Sequence, residues 1–436
     1  MDPIPLGELP LLDQWASLSI MDRVRTFQQL PQAHANDVFL GLRTREQVEL
    51  LLALPADERR LWVRLLAPDD AADLIQEAPP GERDALLAQL EVPTRREVTA
   101  LLAYAEDVAG GLMNPRFARL RPEMPVDEAI AYLRLQADQV ETIYYAYALD
   151  ADQRLLGVVT FRSLFAAPKT RLVRDIMRTD FVAVSEDMDQ EAVAVLFAEY
   201  QVLALPVVDA EGHMKGIVTL DDIVAVVEEE ASEDIHKLGG MEALDAPYLH
   251  TRFDRMVKKR AGWLAALFLG EMLTATAMGY FEEEIARAVV LALFIPLIIS
   301  SGGNSGSQAT TLVIRAMVLG EVRLRDWWRV VRRELGAGLA LGAVLGAIGM
   351  TRILLWQAIS QPYGEHYLLV ALTVACSLIG VVLFGTLAGS MLPFLLRRLG
   401  LDPASASAPF VATLVDVTGL VIYFTVASVI LRGTLL

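Results

Sequence analysis

The stretch "APFVATLVDVTGLVIYF", residues 408–424, decides how the end of this chain folds, because it is apolar enough to cross a membrane. A helix needs about 20 mostly apolar residues to span a hydrocarbon core ~30 Å thick. An acid, Asp416, lies in the middle of the stretch, and no basic residue is near it in the sequence. An aspartate at the centre of a spanning helix costs about 2.5–3.5 kcal/mol on insertion scales, so we expect this carboxylate to have a function.

Four upstream stretches are also long and apolar enough to cross a membrane. The predicted spans are residues 262–281, 286–319, 335–358, 367–396 and 408–431. The second and the fourth exceed what a straight span needs, so we expect each to be tilted or broken. The sequence therefore predicts a five-helix transmembrane pore domain over residues 261–436.

Basic residues mark one side of these spans. They precede the first span, fill the connector between the second and third, and follow the fourth. These residues are Lys258, Lys259, Arg260, Arg323, Arg325, Arg329, Arg332, Arg333, Arg397 and Arg398. Since Lys and Arg stay on the cytosolic side, we expect a multi-pass protein in the lipid of the inner cell membrane. Its amino terminus is predicted to lie in the cytosol and its carboxyl terminus outside.

The composition divides the chain into a charged half and an apolar half. The 436 residues carry a formal charge of −17, yet 54% are hydrophobic and the mean hydropathy is +0.40. An acidic soluble half argues against nucleic acid as a partner and for cations. Cys376 is the one cysteine, so no intramolecular disulfide is possible. The opening "MDPIPLGELPLLDQ" lacks a signal-peptide pattern, which favours a cytosolic location for the amino-terminal half.

The second span contains nine consecutive small or amide residues, "SSGGNSGSQ" at 300–308. Close helix packing through glycines would explain them, and so would a wall that lines a wet pathway. Asn304 and Gln308 are four residues apart and share one face of a helix, which favours the wall. The predicted pore wall comprises Gly302, Gly303, Gln308 and, in the fifth span, Gly419. In the third span, glycines at 338, 342 and 346 are expected to serve packing alone.

Asp416 allows three interpretations: a protonated core aspartate, a proton relay, or a cation site. Magnesium takes oxygen ligands and keeps several waters, so one or two carboxylates suffice to hold it. Five spans are few for a pore within one protomer, whereas a two-fold homodimer would bring two copies of Asp416 together. The cation site is therefore the preferred interpretation.

Residues 113–230 contain an internal repeat. Met113 aligns with Met177, and the stretch 157–160 aligns with 216–219. Each copy reads as strand, helix, two strands and helix, and the repeat resembles a tandem pair of CBS domains. That resemblance implies an adenine nucleotide, ATP, held by Thr219 and Asp221; the first copy has Arg162 where the acid would be. A purely structural pair is the alternative.

The segments before and after the repeat are predicted to be helical. Residues 1–112 alternate Pro-containing turns with amphipathic helices and predict a small helical superhelix. Its acids Asp69, Asp70 and Asp73 are interpreted as a solvated face. Residues 231–260 form a linker, and an acidic run from Glu228 to Asp234 leads into it. Like charges at this spacing repel, so the run is either a solvated helix or a sensor that divalent ions compact.

The order of these parts resembles the MgtE family of magnesium channels over essentially the whole chain. The resemblance rests on the helical domain, the CBS pair, the acidic linker, "GGNSGSQ" in the second span and "DVTG" in the fifth. It implies a multidomain α and α+β fold and a homodimer that conducts Mg²⁺ into the cytosol. A helix at about 246–260 would close the pore when cytosolic Mg²⁺ fills sites between the soluble domains.

The resemblance also implies site residues. The pore site would comprise Asp416, Asn304, Ala412 and Thr413. The cytosolic Mg²⁺ sensor would comprise Asp107, Asp221, Asp222, Glu228, Glu230, Glu233, Asp234 and Asp402. Some members of the family have an asparagine where this chain has Ala408, so a polar group is missing at the cytosolic mouth.

Two other functions stay open at this stage. The first is a proton- or sodium-coupled carrier of divalent ions such as Co²⁺ or Mn²⁺. The apparent lack of a second acid for a relay argues against it, although Glu271 in the first span weakens that argument. The second is a membrane enzyme regulated by a CBS pair. The spans lack the clustered acids or Cys–His pairs that would position a nucleophile or a catalytic metal, so no catalytic residue is predicted.

Overall fold

The computed structural model describes Trp15 and residues 18–244, 248–249 and 251–435. The chain divides into two compact units, Met1–Glu228 and Glu229–Leu436. We number the described helices α1–α19 and the strands β1–β6 in chain order. The predicted fold class, a helical domain followed by a CBS pair and five membrane-length helices, is confirmed.

Among the described residues, the amino-terminal domain contains seven short helices. They are α1 Ile20–Gln28, α2 Gln32–Gly41, α3 Thr44–Ala53, α4 Ala56–Val63, α5 Pro68–Glu77, α6 Pro80–Gln89 and α7 Val92–Leu101. Proline precedes or opens several of them, which suits its fixed φ and missing N–H. Alternate helices pack on one another, α1 on α3, α3 on α5 and α5 on α7. This stacking confirms the predicted helical superhelix.

The CBS repeat has the same topology in both copies. After the short helix α8 (Ala109–Leu112), the first copy comprises β1 Arg119–Leu120, α9 Val126–Gln136, β2 Tyr145–Leu149, β3 Leu155–Thr160 and α10 Phe161–Ala166. The second comprises β4 Val184–Ser185, α11 Gln190–Tyr200, β5 Ala204–Val208, β6 Met214–Thr219 and α12 Leu220–Leu238. In each sheet the first strand pairs parallel to the second, which pairs antiparallel to the third.

Register confirms the alignment made from the sequence. Thr160 pairs with Tyr145 in the first sheet as Thr219 pairs with Ala204 in the second. A Cβ on Gly216 would lie 2.9 Å from the Cγ of Met113, and one on Gly157 would lie 2.9 Å from the Cγ of Met177. In both cases, the methionine that begins one repeat packs against a glycine in the last strand of the other repeat. A larger residue at either glycine would force the two segments apart.

The last CBS helix and the acidic run form one helix. α12 contains no Gly or Pro between Leu220 and Leu238, and it ends where Gly240 adopts a positive φ of 70°. The predicted domain limit at 230 therefore falls inside a helix. The next helix, α13 (Phe253–Tyr280), likewise runs through the predicted limit at 260. Of the predicted pore-closing helix, residues 253–260 are thus the start of the first span, and residues 248–249 and 251–252 precede that helix without being helical. Residues 246, 247 and 250 lie outside the described residues.

Five helices of membrane length follow, as predicted. The first span is α13. The second apolar stretch is divided into α14 Glu282–Arg287, α15 Val289–Ala292 and α16 Ile295–Val318. The others are α17 Trp327–Ser360, α18 Tyr367–Arg398 and α19 Ala408–Ile430. Of the two expected alternatives, the second stretch is broken, whereas α18 in the fourth continues unbroken through Pro393, so a tilt of the fourth span stays a prediction.

Glycines let the membrane helices approach closely. A Cβ on Gly342 of α17 would lie 2.7 Å from the Cα of Ile379, and one on Gly346 would lie 3.0 Å from the carbonyl oxygen of Ala375. A Cβ on Gly338 would likewise clash with the Oγ1 of Thr386. The packing role predicted for these three glycines is confirmed. Since a methyl group would force these backbones apart, the glycines determine how tightly α17 packs on α18.

Candidate functional site

A polar cavity of about 380 Å³ lies among α13, α16 and α19 in the membrane unit. Ten residues line it: Glu271, Thr274, Pro296, Ile299, Ser300, Gly303, Asn304, Ser307, Ala412 and Asp416. Three of the four predicted pore-site residues therefore share one cavity: Asp416, Asn304 and Ala412. Polar side chains at membrane depth are tolerated where they face a cavity and not lipid.

Asp416 is half-buried on α19, and the structure gives it an acidic neighbour. Glu271, on α13, lines the same cavity as Asp416. A second acid therefore accompanies Asp416, and the expectation that the spans lack one is wrong. Sequence spacing could not reveal this pair, because the two residues are 145 positions apart (416 − 271) and meet only through helix packing.

Helix packing on both sides of α19 positions Asp416. On the side of α13, a Cβ on Gly270 would lie 2.9 Å from the Cγ2 of Thr413, so the glycine admits that side chain. On the side of α16, the Oγ of Ser307 donates to the carbonyl oxygen of Ala408 over 3.3 Å. Thr413, the fourth predicted pore-site residue, thus packs against the first span.

The residues of the predicted pore wall lie in different surroundings. Gly303 lines the cavity, but Gly302 and Gly419 do not. A Cβ on Gly302 would lie 2.5 Å from the Cγ1 of Val381 on α18, and one on Gly419 would lie 3.0 Å from the same atom. Both glycines are buried in helix packing, so assigning them to the wall is wrong. Gln308 is exposed and lies outside the cavity lining, and its predicted role stays a prediction.

Asn304 extends from α16 into the cavity. Its Nδ2 lies 3.5 Å from the Oγ of Ser300, one turn earlier, and both residues are exposed within the protomer. The carboxamide oxygen and the serine hydroxyl are ligands that suit a hydrated hard cation. The cavity therefore combines two carboxyls with neutral oxygen groups, which is the chemistry expected of a divalent ion pathway.

A second acidic cluster lies beside α12 in the same unit. Lys237 Nζ lies 2.5 Å from a carboxylate oxygen of Glu233 and 2.6 Å from one of Asp402. Asp402 also accepts the backbone N–H of Ala404 over 2.8 Å. Burial and the neighbouring Asp402 carboxylate raise the pKa of Asp234 to about 6. Four of the predicted sensor residues therefore interact here, since Glu230 also acts electrostatically on Asp234.

A third acidic cluster joins the helical domain to the CBS pair. The buried Asn114 donates from Nδ2 to Asp69 over 3.0 Å and to Glu141 over 2.8 Å. Burial, followed by the nearby carboxylate of Asp222, raises the pKa of Asp69 well above its usual value. The solvated-face prediction is wrong for Asp69, which is 7% exposed, because α5 packs that side against the CBS pair. Asp70 and Asp73 are exposed as predicted.

The acids after β6 belong to this third cluster. The Thr219 hydroxyl lies 2.5 Å from Asp221 and 2.7 Å from Asp222. Burial raises the pKa of Asp222 to about 7, although the hydrogen bond from Thr219 acts in the opposite direction. Thr219 and Asp221 are thus adjacent, as a nucleotide site requires, but the surrounding acids disfavour a bare triphosphate.

Two predicted sensor residues lie elsewhere. Glu228 forms an exposed ion pair with Arg43 of the helical domain at 3.0 Å, so a protein cation already neutralises it. Asp107 is exposed, and its backbone carbonyl accepts the N–H of Gln190. The structure does not bring either carboxylate into the two acidic clusters described above, and their sensing role stays a prediction.

A fourth group of potential metal ligands comprises Asp209, Glu211 and His213, whose ligand atoms lie within 4.8 Å of one another. Asp209 already accepts the backbone N–H of Glu211 at 3.1 Å and that of His213 at 2.8 Å. It also pairs with Lys215 at 3.1 Å. These bonds hold the turn between β5 and β6, and we assign the group that structural role.

Known protein families match successive parts of the chain. Residues 295–426 match MgtE, described as a divalent cation transporter. Residues 10–107 match the MgtE intracellular N domain, and residues 105–169 and 173–229 match the CBS domain. The limits predicted from the sequence at 112/113 and 230/231 are not tested by these matches and stay predictions.

Individual relatives extend over nearly the full length. The magnesium transporter MgtE of Thermus thermophilus is 42% identical over 427 residues, covering 97% of this chain and 93% of that protein. The magnesium transporter MgtE of Bacillus subtilis is 30% identical over 424 residues, covering 94% and 92%. A crystal structure described as the cytosolic domain of the Mg²⁺ channel MgtE in complex with ATP is 42% identical. It covers 50% of this chain and 88% of that chain, with a TM-score of 0.48.

Proposed function

The chain belongs to the MgtE family of divalent cation transporters, and we propose that it conducts magnesium ions across the cell membrane into the cytosol. The observation that carries this proposal is the polar cavity in which Asp416, Asn304 and Ala412 meet at membrane depth. Membership in a transporter family argues against the alternative that the chain is a membrane enzyme.

The hydration of magnesium and the oxygen groups of the cavity support magnesium as the conducted ion. Its hydration shell is removed reluctantly, so the ion is best held through its waters by carboxylate and neutral oxygens. A cavity of about 380 Å³ has room for an ion that keeps several waters. Such a site also accepts Co²⁺ and Mn²⁺, so these ions are expected to compete with Mg²⁺ at higher concentrations.

Growth of an uptake-deficient bacterial strain at low magnesium tests this function. The unaltered chain is expected to restore growth, whereas Asp416→Ala is expected to fail while reaching the membrane in equal amount. Glu282→Ala serves as a matched control, because Glu282 is an exposed acid outside the cavity lining. Growth restored equally by the Asp416 variant would contradict the proposed role of this residue.

We further propose a homodimer in the inner membrane, with the amino terminus in the cytosol. One protomer supplies a single copy of Asp416, and a two-fold axis beside the cavity would double it. Since the chain has a single cysteine that can be replaced, a new cysteine introduced beside the cavity tests the proposed dimer directly. On a Cys376→Ser background, Asn304→Cys is expected to give a disulfide-linked dimer when membranes are oxidised. Only monomers at every oxidant concentration would argue against a pore at the two-fold axis.

The acidic clusters support regulation by cytosolic magnesium. Asp69 and Asp222 face each other in one cluster, and Asp234 and Asp402 in the other. A divalent ion relieves like-charge repulsion in each case, so binding would hold the soluble parts compact and close the pore. Magnesium is expected to protect the chain against limited proteolysis, and unchanged cleavage at millimolar magnesium would contradict this.

ATP at the CBS pair is a separate proposal. Thr219 and Asp221 occupy the expected positions after β6. Because four acids surround them, including Asp69 and Asp222, we expect the nucleotide to bind as its magnesium complex. Calorimetric titration with ATP should show weaker binding in chelator, and equal binding with and without magnesium would overturn this expectation.

One observation favours the second candidate, a proton- or sodium-coupled carrier. Glu271 and Asp416 place two acids in one cavity at membrane depth, as a relay requires. Uptake into vesicles under an imposed pH or sodium gradient distinguishes the two functions. A channel responds to the gradient of magnesium and to voltage alone, whereas a carrier accumulates magnesium against its gradient.

A further inference from the structure

The first span brings its own acid to the cavity. α13 presents Gly270, Glu271 and Thr274 toward α19: Gly270 receives the side chain of Thr413, and the other two line the cavity. Because positions three and four apart share a helix face, these three residues lie on one face of α13. The close approach at Gly270 brings this part of α13 to α19, where Glu271 and Asp416 line the same cavity.

A second, independent feature of the cavity points to a ligand. Within the part of the chain that the structure describes, the buried Oγ1 of Thr274 has no hydrogen-bond partner. It lies one turn after Glu271 and lines the same cavity. A buried hydroxyl without a partner carries a free-energy cost that a water of hydration would remove.

We infer that Glu271 is a second carboxylate of the ion site, so that each protomer supplies two acids to one hydrated divalent cation. This inference rests on the proposed function and deepens it. Two carboxyls that line one cavity at membrane depth repel when both are ionised, and a dication between or beside them offsets that repulsion. The hydrated ion would be held by Glu271 and Asp416 through its waters, with Thr274 and Asn304 accepting or donating hydrogen bonds to the same shell.

The consequence is a division of roles between the two acids. Asp416 lies on α19, at the centre of the fifth span, and remains the residue on which conduction depends. Glu271 lies on the more exposed first span, none of whose residues is buried in the protomer. It adds charge at the side of the cavity, so it is expected to set the affinity for the dication and the preference over monovalent ions.

Magnesium flux into liposomes containing the purified full-length chain tests the inference. Glu271→Gln keeps the shape of the side chain and removes its charge; it is expected to raise the half-saturating magnesium concentration about tenfold with a smaller change in maximal flux. Glu282→Gln removes one exposed acid outside the cavity lining and is expected to match the unaltered chain. Equal half-saturating concentrations in all three proteins would overturn the inference.

Inhibition of flux by a cation of fixed shape distinguishes the loss of charge at Glu271 from misfolding of the variant. Cobalt(III) hexaammine is a stable trivalent cation with a fixed shell of donors, and it is expected to inhibit flux by occupying the site. Glu271→Gln should weaken this inhibition about tenfold, while Glu271→Asp, which keeps the charge, should weaken it less. An Asp variant as impaired as the Gln variant would overturn the charge-based role.

The failure of the inference and that of the proposed function are distinguishable. If the unaltered chain conducts magnesium, Asp416→Asn abolishes flux and Glu271→Gln changes nothing, then only the inference is wrong. If the unaltered chain conducts no magnesium in the same liposomes, the proposed function is wrong. Should Glu271→Gln fail to fold, Glu271→Ala replaces it as the neutral variant in both measurements, with the same expected changes and with Glu271→Asp as its charged counterpart.

Discussion

The ammonium nitrogen of Lys237 lies 2.6 Å from a carboxylate oxygen of Asp402, which joins the end of α12 to the segment that precedes the fifth span. Burial by itself lowers the pKa of Lys237, but its hydrogen bonds to Asp402 and Glu233 raise it above the usual value. The lysine is therefore charged, and it occupies the position that a bound cation would take between these two acids.

Replacing this lysine should make the cluster more sensitive to magnesium. Lys237→Met removes the tethered charge and leaves Glu233, Asp234 and Asp402 without it. The magnesium concentration that gives half-maximal protection from proteolysis is expected to fall about threefold to tenfold. Lys169→Met, a change at an exposed lysine of the CBS pair, is the control. A half-maximal concentration that stays the same or rises would contradict competition between the lysine and the ion.

Neutralising Asp69 should separate structural from sensing effects in the third cluster. Asp69→Asn keeps an acceptor for Asn114 and removes repulsion with Asp222, so the chain is expected to be more stable in chelator. The same variant should gain less stability from added magnesium. Thermal unfolding followed with and without magnesium measures both effects, and Asp84→Asn on the exposed side of α6 is the matched control. A variant less stable in chelator would contradict the repulsion argument.

The raised pKa values predict how stability depends on pH. Burial raises the pKa of Asp222 to about 7, and burial with Asp402 raises that of Asp234 to about 6, from a usual value of 3.8. The folded state therefore binds these protons more tightly than the unfolded state. Their contribution to stability is full below about pH 4 and is lost as the pH rises through about 6 to 7.

In chelator, the unfolding temperature of the full-length chain should fall between about pH 5 and about pH 8. Magnesium should stabilise the chain more at the upper end of this range, because protons no longer compete for the carboxylates. A stabilisation by magnesium that is larger at about pH 5 would contradict this assignment.

Enlarging Gly302 tests its reassignment from pore wall to helix packing. Gly302→Val places carbon atoms against Val381, where even a Cβ would lie 2.5 Å away, and should destabilise the membrane domain by about 1–3 kcal/mol. Gly336→Val is the control, because a Cβ on Gly336 meets nothing within 4 Å. Thermal stability in detergent measures the difference. Normal stability with blocked flux would instead favour a pore-wall position.

Local patterns were sufficient to predict much of the fold. The spans follow from apolar length, and the repeat from Gly157 and Gly216, whose equivalent register the two sheets confirm. The packing role of Gly342 follows from four-residue spacing between small residues. Membership in the family was predicted from the order of these parts together with two membrane motifs, and it is confirmed.

Features that depend on tertiary contacts were missed. The burial of Asp69 requires the CBS pair to cover α5, and nothing in "PDDAAD" distinguishes it from the exposed Asp70. The meeting of Glu271 and Asp416 in one cavity depends on how two helices that are distant in sequence pack together. The continuity of α12 through the predicted domain limit could have been found, because that stretch contains no Gly or Pro.

Magnesium flux through the purified chain in liposomes, with the magnesium concentration on the cytosolic face varied, tests the central claim most directly. The unaltered chain is expected to conduct magnesium when that face is low in the ion and to close as it fills. Asp416→Ala, correctly folded, is expected to conduct none at any concentration. Flux that persists in Asp416→Ala at the level of the unaltered chain would contradict the account.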